Sequence, residues 1–538
     1  MQLFMTNKLD RFLDRTYFPE TRDLLFEEKK LNLARILIGL VILWRTAKVA
    51  LAANFYFPAD TSLQGINFSS EVVFALFECT LALLLTVGAC TPLTLLGIII
   101  TYPLFDRALS ISTLGTNVMI FFLVGLLMLN ARSRFSFDSW AEKLKETNPL
   151  RRTIERLYCV LGMPDSNRIR RIYFLCFLCY AAISFGAMLH HINDPHWISG
   201  HTIAVLLTNS YLCPHYEFFQ SVQASWPTAF FLFSASGIIA QTFYQIAMVP
   251  CLFSRWGTAF VVLQGLAFFL ISAICISLSY LPFVELVLWG VIFWSSSLHS
   301  FFVTRILRNP LPAKQLELSQ TPKHAFYIHE TYLRLSAICL LLFVANFPIL
   351  ENYTSSLKLT KHRVKNGLKR LGLEIPNVFN KTDLAMGNRW TAIFRNADGE
   401  RTLIPFHNTD GARLWYLKSD ILYYGNSLAW RRRCIGMSAD EMLDADSNTV
   451  DLMKRAVVFD SQLHPFEGQT TYEIFIFENT ANNVSLPLAE RYARENVGKM
   501  TFTRESVEAD WDYAASYAPN SQQKSAIAKS PNITTEQR

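Results

Sequence analysis

Residues 180–215 read YAAISFGAMLHHINDPHWISGHTIAVLLTNSYLCPH. An apolar run that begins at Ile172 stops at the pair His190-His191. The turn Asn193-Asp194-Pro195 follows, then His196, Trp197, Gly200 and His201. Five of the eleven histidines of the protein fall in this stretch, at 190, 191, 196, 201 and 215. No Lys or Arg stands between Arg171 and Arg255. The pattern predicts a hydrophobic element that ends in titratable groups where a bilayer meets water.

Composition agrees with a membrane class. Hydrophobic residues make up 51% of the 538, charged residues only 17%, and there are 42 Phe. Apolar runs of about 20 residues are long enough to cross a bilayer. Residues 1–32 are charged throughout and read as a cytoplasmic amphipathic lead rather than a cleavable signal. The net charge of +7 is spread over loops with no groove-like patch, which argues against nucleic acid as a partner. Cys176 and Cys179 form a C-x-x-C inside an expected span, where packing is the default reading. Cys213 and Cys434 fall in segments expected outside, and a disulfide between them stays open.

From the central stretch outward, the hydrophobic pattern predicts nine spans. They cover approximately 33–52, 71–90, 91–106, 117–131, 172–190, 227–248, 258–280, 283–303 and 333–351. The loops 53–70 and 191–226 lack Lys and Arg, whereas 132–171 holds ten and 304–332 holds Arg305, Arg308, Lys314 and Lys323. Basic loops stay in the cytoplasm. The N-terminus is therefore expected inside and everything after about 352 outside. That outer part reads as a smaller α+β domain over 352–515, followed by a polar, disordered tail over 516–538. Residues 390–394 and 401–406 flank Asn396-Ala397-Asp398-Gly399, a hairpin signal. Residues 470–477 alternate like a strand, and 451–458 read as a short helix. The expected fold is thus an α-helical polytopic bundle over 33–351 with an extracytoplasmic α+β domain.

Charge inside the spans is costly and faces a partner or a cavity. Arg45 and Lys48 lie in the first span, Glu78 in the second and Glu285 in the eighth. Arg45 and Glu78 each lie about seven residues from the outer end of their helix, roughly 10 Å deep at 1.5 Å per residue. They are expected either to pair or to join Lys48, His190, His191 and Glu285 in one outward-opening polar pocket. The alternative is a set of separate snorkelling and interfacial residues. The histidine spacing matches no zinc pattern, so no metal is expected. A desolvated neutral imidazole is a competent base at neutral pH, and a histidine capping a helix C-terminus reads equally well. No G-x-S-x-G, Walker A or dinucleotide-binding glycine pattern stands in a supporting context.

The block 180–207 resembles a segment of the vitamin K-dependent γ-glutamyl carboxylases and their HTTM-domain relatives. In that family a helix ends in one or two lysines, followed by an acidic turn, Trp, Gly and a helix restart. His190-His191, Asp194, Trp197 and Gly200 stand at those places. Arg35 with 36–39, Ser136-Phe137-Asp138 and 209–214 resemble further family segments, and 392–406 with 425–433 resemble the start of its lumenal domain. The resemblance covers roughly 30–480. It implies a membrane-embedded enzyme of carbon–carbon bond-forming, lyase or ligase type, working with a reduced naphthoquinone. Its substrate would be a protein or peptide on the outer side. His191 stands where the family has its base lysine, and Phe268-Phe269 where it has a histidine. The fourth span also opens without the family's neighbouring His. The function expected here is therefore a carboxylase-like enzyme acting with a quinone or other isoprenoid lipid, whose product need not be a carboxylate. His191 and His190 would be catalytic, with Arg45, Lys48, Glu78, Trp197 and Glu285 lining the pocket. The other class is a non-catalytic membrane protein that binds lipid or a partner.

Overall fold

The computed structural model describes residues 24–51, 70–108, 114–129, 136–144, 147–161, 166–192, 194–208, 213–276, 280–294, 389–397, 400–403, 468–479, 492–503 and 507–510, with a few isolated residues besides. The chain divides into two compact units, Met1–Leu51 with Ser70–Met386 and Ala52–Ser69 with Gly387–Arg538.

The first unit is helical. Its longer elements are α1 (Leu24–Leu51), α2 (Ser70–Val87), α3 (Thr91–Ala108) and α4 (Leu114–Leu129). Short α5 (Phe137–Ala141) and α6 (Pro149–Leu161) lead to α7 (Ser166–His191). Short α8 (Pro195–Ile198), α9 (Thr202–Thr208) and α10 (Tyr216–Ser225) precede α11 (Pro227–Cys251) and α12 (Arg255–Cys275). Helix α13 (Leu281–Val287) runs on as a π turn over Leu288–Ile292. Three helical segments are long and apolar enough to cross a membrane: Ile169–Leu189, Pro227–Cys251 and Trp256–Cys275. Four shorter apolar helices accompany them: Val73–Val87, Thr91–Phe105, Val118–Leu129 and Leu281–Ile292. Helices lie in eight of the nine stretches expected to span, the eighth being helical to Ile292 with 295–303 outside the described residues, as is 333–351. The seventh is shorter than expected, because the backbone turns extended at Ile276.

Burial on these helices is inverted relative to a water-soluble bundle. Helix α2 buries Ala75, Glu78, Ala82 and Leu85, a stripe at helical spacing, and exposes Val73, Leu76, Phe77, Leu83, Leu84 and Val87. Glu78 faces in and the large apolar side chains face out. Helices α11 and α12 repeat this, exposing Leu232, Ile239, Phe243, Ile246, Leu270 and Ile274. Apolar surface of this extent suits lipid rather than water.

Contacts fix how the helices run. Helices α1 and α2 are antiparallel, because Gly39 lies too close to Thr86 to admit a Cβ and Cys79 Sγ meets Thr46 Oγ1 at 3.3 Å. At one end of the unit, buried polar side chains close the helix termini. Lys30 pairs with Glu27 at 2.9 Å and donates to the carbonyls of Ile292 (3.2 Å), which ends the π turn, and Trp294 (3.0 Å), just past it. Tyr173 donates to Glu27 at 2.8 Å. Arg35 donates to the carbonyls of Leu85 and Thr86 at the end of α2. The chain then reverses through Gly88, whose φ of 76° suits only glycine without strain. Asp138 accepts from the N–H groups of Cys90 (2.6 Å) and Thr91 (2.9 Å), where α3 begins, and from the Tyr158 hydroxyl (2.8 Å). These are the unsatisfied donors and acceptors every helix end carries. Tyr158 is held above the usual phenol range by burial and then by Asp138. At the opposite end, Arg45 of α1, Tyr102 of α3, Thr116 of α4 and Tyr280 before α13 meet.

The second unit carries an antiparallel sheet in the order β2-β1-β3-β4-β5. Its strands are β1 (Arg389–Ala397), β2 (Glu400–Leu403), β3 (Thr470–Asn479), β4 (Tyr492–Phe502) and β5 (Val507–Asp510). Ala397 pairs with Glu400, which leaves Asp398-Gly399 as the two connecting residues, as the hairpin signal predicts. Tyr472, Ile474, Met500 and Phe502 are buried on alternating positions. The pairing of β3 with β4 shifts register between Ile474 and Phe475, so Val497 is an extra residue in β4, a bulge that bends the strand. The helix expected over 451–458 lies outside the described residues apart from Lys454 and Val457.

Candidate functional site

The polar side chains expected inside the bundle fall into three groupings. The first surrounds Arg45, which is buried. Its guanidinium donates to the Tyr102 hydroxyl and lies over the rings of Tyr280 (4.2 Å) and Tyr102 (5.0 Å). The two rings meet edge to face, and the Tyr280 hydroxyl shares a 2.7 Å hydrogen bond with Thr116. A planar cation lying over two phenol rings is held by π electrons as well as by hydrogen bonds. Glu78 is fully buried on α2. In the antiparallel register of α1 and α2, where 46 meets 79 and 39 meets 86, Glu78 lies level with residue 47, between Arg45 and Lys48. The Lys48 side chain lies outside the described residues.

The second grouping surrounds His191, the last residue of α7. It is buried, and its imidazole stacks on the Trp197 indole with centroids 4.1 Å apart and planes at 28°. Two local features build this. Asp194 caps α8, its carboxylate accepting from the His196 N–H at 3.2 Å, and Pro195 pre-sets the first helical φ. Gly200, at φ 80°, then packs against Ala235 of α11, and Ser234 ties α9 to α11 by bonding the Gly200 carbonyl (2.6 Å) and the Ala204 N–H (3.1 Å). The chain folds back, and the Trp197 indole N–H reaches Thr242 Oγ1 at 3.0 Å. His201 is exposed and meets Ser199 and Phe231, and His215 is exposed before α10. The His190 side chain lies outside the described residues. Cys213 is a free, buried thiol pushed up to about 11 by burial, and Cys434 lies outside the described residues.

The third grouping surrounds Glu285, five residues or roughly 7.5 Å deeper than Tyr280 along the helix. The carboxylate is buried and accepts from the Tyr180 hydroxyl. Tyr180 and Tyr244 both set their rings against Trp289, at 5.3 and 5.6 Å. Gln241 and Gln245 share the buried face of α11 with Tyr244. Thr242 and Tyr244 are two residues apart and point about 200° apart around α11. The His191 stack and the Glu285 grouping therefore use different faces of one helix, where one continuous pocket was expected.

Tyr102, Tyr280, Tyr180, Tyr244, Trp289 and the two glutamines were not singled out in the sequence. The available signal was polar residues at spacing 3 and 4 inside a span, as at 241, 244 and 245. No group of three or more His, Cys, Asp or Glu placed to hold a metal occurs among the described residues. Compared with known proteins, the chain matches no family model, no curated protein and no solved structure.

Proposed function

We propose that the chain is a multi-pass membrane protein of nine spans with its N-terminus in the cytoplasm and its α+β domain outside. In this reading the basic segment 132–171 and the Lys30, Arg35 and Asp138 junctions lie on the cytoplasmic side. The Arg45–Tyr280 and His191–Trp197 groupings lie in the outer half. Trp226 (68% exposed) just before α11 and Trp256 (72%) at the start of α12 stand about 40 Å apart along the helix, and they serve as interfacial anchors at opposite faces. We further propose a carboxylase-like enzyme that works with a quinone or isoprenoid lipid entering from the outer leaflet. His191 is the base, with His190 beside it and Trp197 in the pocket wall. Arg45 and Lys48 steady developing negative charge, and Glu78 orients them.

The observation that carries this is the burial of titratable side chains in a helical bundle whose exposed face is apolar. The test is extraction of the purified protein and mass spectrometry of the lipids it retains. A stoichiometric quinone or polyprenyl lipid, lost in His191→Ala with folding intact, is the expected result. Absence of any such lipid from the wild-type protein would refute it. A second reading is favoured by the face-on stack of His191 with Trp197. Such a stack also serves packing, and the chain would then be a non-catalytic membrane protein that binds lipid or a partner subunit.

A further inference from the structure

Inside the bundle, several buried polar atoms of one grouping carry no hydrogen bond among the described residues. They are Gln241 Oε1, Gln245 Oε1 and Glu285 Oε2. All three residues are more than nine-tenths buried. Leaving such atoms unsatisfied costs a few kcal/mol each in an apolar medium, so a protein seldom gathers them without something to meet them. All three are oxygens, and the Tyr244 hydroxyl on the same face of α11 bonds Tyr180. They come from two helices, and a third, α7, supplies the Tyr180 hydroxyl that already serves the carboxylate. The indole N–H lies beside that carboxylate. Each amide can turn its oxygen inward, so the set is rich in hard acceptors and holds a single negative charge.

Helix geometry at this point is irregular. The chain leaves α-helical hydrogen bonding at Leu288, and Phe293 N–H bonds the Leu288 carbonyl at 2.9 Å across a π turn. The turn presses the Trp289 ring against Gly265, where an added Cβ would come within 2.6 Å of the indole. Widened turns of this kind occur often at functional sites.

We propose that this nest is an intramembrane site for a monovalent alkali cation. One carboxylate oxygen balances its charge, and the Tyr244, Gln241 and Gln245 oxygens complete an oxygen shell. A divalent ion would want more than one carboxylate. The Tyr180 hydrogen bond orients Glu285, and the aromatic rings keep bulk water out. The site is independent of His191, whose Trp197 partner meets another face of α11.

The test uses the full-length protein purified in detergent. Thermal unfolding is followed as NaCl or KCl replaces N-methyl-D-glucamine chloride at constant ionic strength and pH. A saturable rise in Tm with one of the alkali cations is expected. It should vanish in Glu285→Gln, need at least tenfold more salt in Gln245→Leu, and persist in His191→Ala. Equal Tm in alkali and glucamine salts, or an unchanged response in Glu285→Gln, overturns the proposal. If Glu285→Gln does not fold, equilibrium binding of radioactive sodium and rubidium to wild type and Gln245→Leu decides. Absence of saturable binding by wild type, or equal binding by both proteins, overturns it as well.

Discussion

Replacing Asp138 by Ala should be among the most damaging changes on the basic side of the helical unit. The side chain is fully buried and accepts three hydrogen bonds, from the Cys90 and Thr91 amides and the Tyr158 hydroxyl. Two of these donors open α3, where Asp138 also lies in the favourable field of the helix dipole. Each buried donor left without its acceptor costs about 1–3 kcal/mol. Partial relaxation and water entry keep the total below the simple sum, at about 3–5 kcal/mol. Asp138→Asn keeps one oxygen and should lose about half as much. Tyr158→Phe removes one bond and should cost about 1 kcal/mol. Reversible unfolding in mixed micelles, titrated with SDS and read by intrinsic fluorescence, gives these differences directly. The decisive measurement is the cycle: Tyr158→Phe should cost almost nothing once Asp138 is Ala, because both changes remove one contact. An Asp138→Ala loss below about 1 kcal/mol, or fully additive effects, would refute the reasoning.

Lys30→Met should cost about 3–5 kcal/mol in the same assay, because it strands the buried Glu27 carboxylate, and adding Glu27→Gln should recover a large part of the loss. If Glu78 lies level with Arg45 and Lys48, the double reversal Arg45→Glu with Glu78→Arg should fold better than either single reversal. A double variant worse than both singles would place the two side chains apart. Cys213, buried and with its thiol pushed up to about 11, is only about one part in a thousand thiolate at pH 8. Its alkylation in the folded protein should be negligible at pH 7 and rise about tenfold per pH unit up to about 11. Rapid labelling at pH 7 would contradict its burial.

Helix positions were the most legible feature of the sequence, because an apolar run in a bilayer has almost one solution. The hairpin around Asp398-Gly399 was legible for a different reason, since that dipeptide suits a two-residue turn. Helix limits were less so. The expected seventh span runs past Cys275, although polar Ser277 and Ser279 already weaken the run there. Asp194, Pro195 and Gly200 announced the cap and the reversal that bring Trp197 back onto α11. Nothing local announced that Trp197 would stack on His191, which depends on the packing of α9 against α11. Tyrosines in apolar runs look like interfacial or core residues until a neighbouring helix supplies Arg45 or Glu285. Ser136-Phe137-Asp138 entered through a resemblance; its physical duty, closing the start of α3 from a distance of about 48 residues, is visible only in the fold.

Buried polar residues of the two halves do different work. Lys30, Arg35 and Asp138 each meet backbone groups that a helix terminus would otherwise leave unsatisfied. Their burial is explained by architecture alone. Arg45, Glu78 and Glu285 stand within helices, where the backbone already satisfies itself and offers nothing to cap. The cost of burying them must be offset by other side chains or by something bound. For Arg45 the Tyr102 and Tyr280 phenols supply part of that offset. For Glu285 the Tyr180 hydroxyl and the Trp289 indole N–H do, within a grouping where further oxygens remain unmet. This difference, rather than the histidine cluster alone, is why function is sought in the half of the bundle that carries no basic loops.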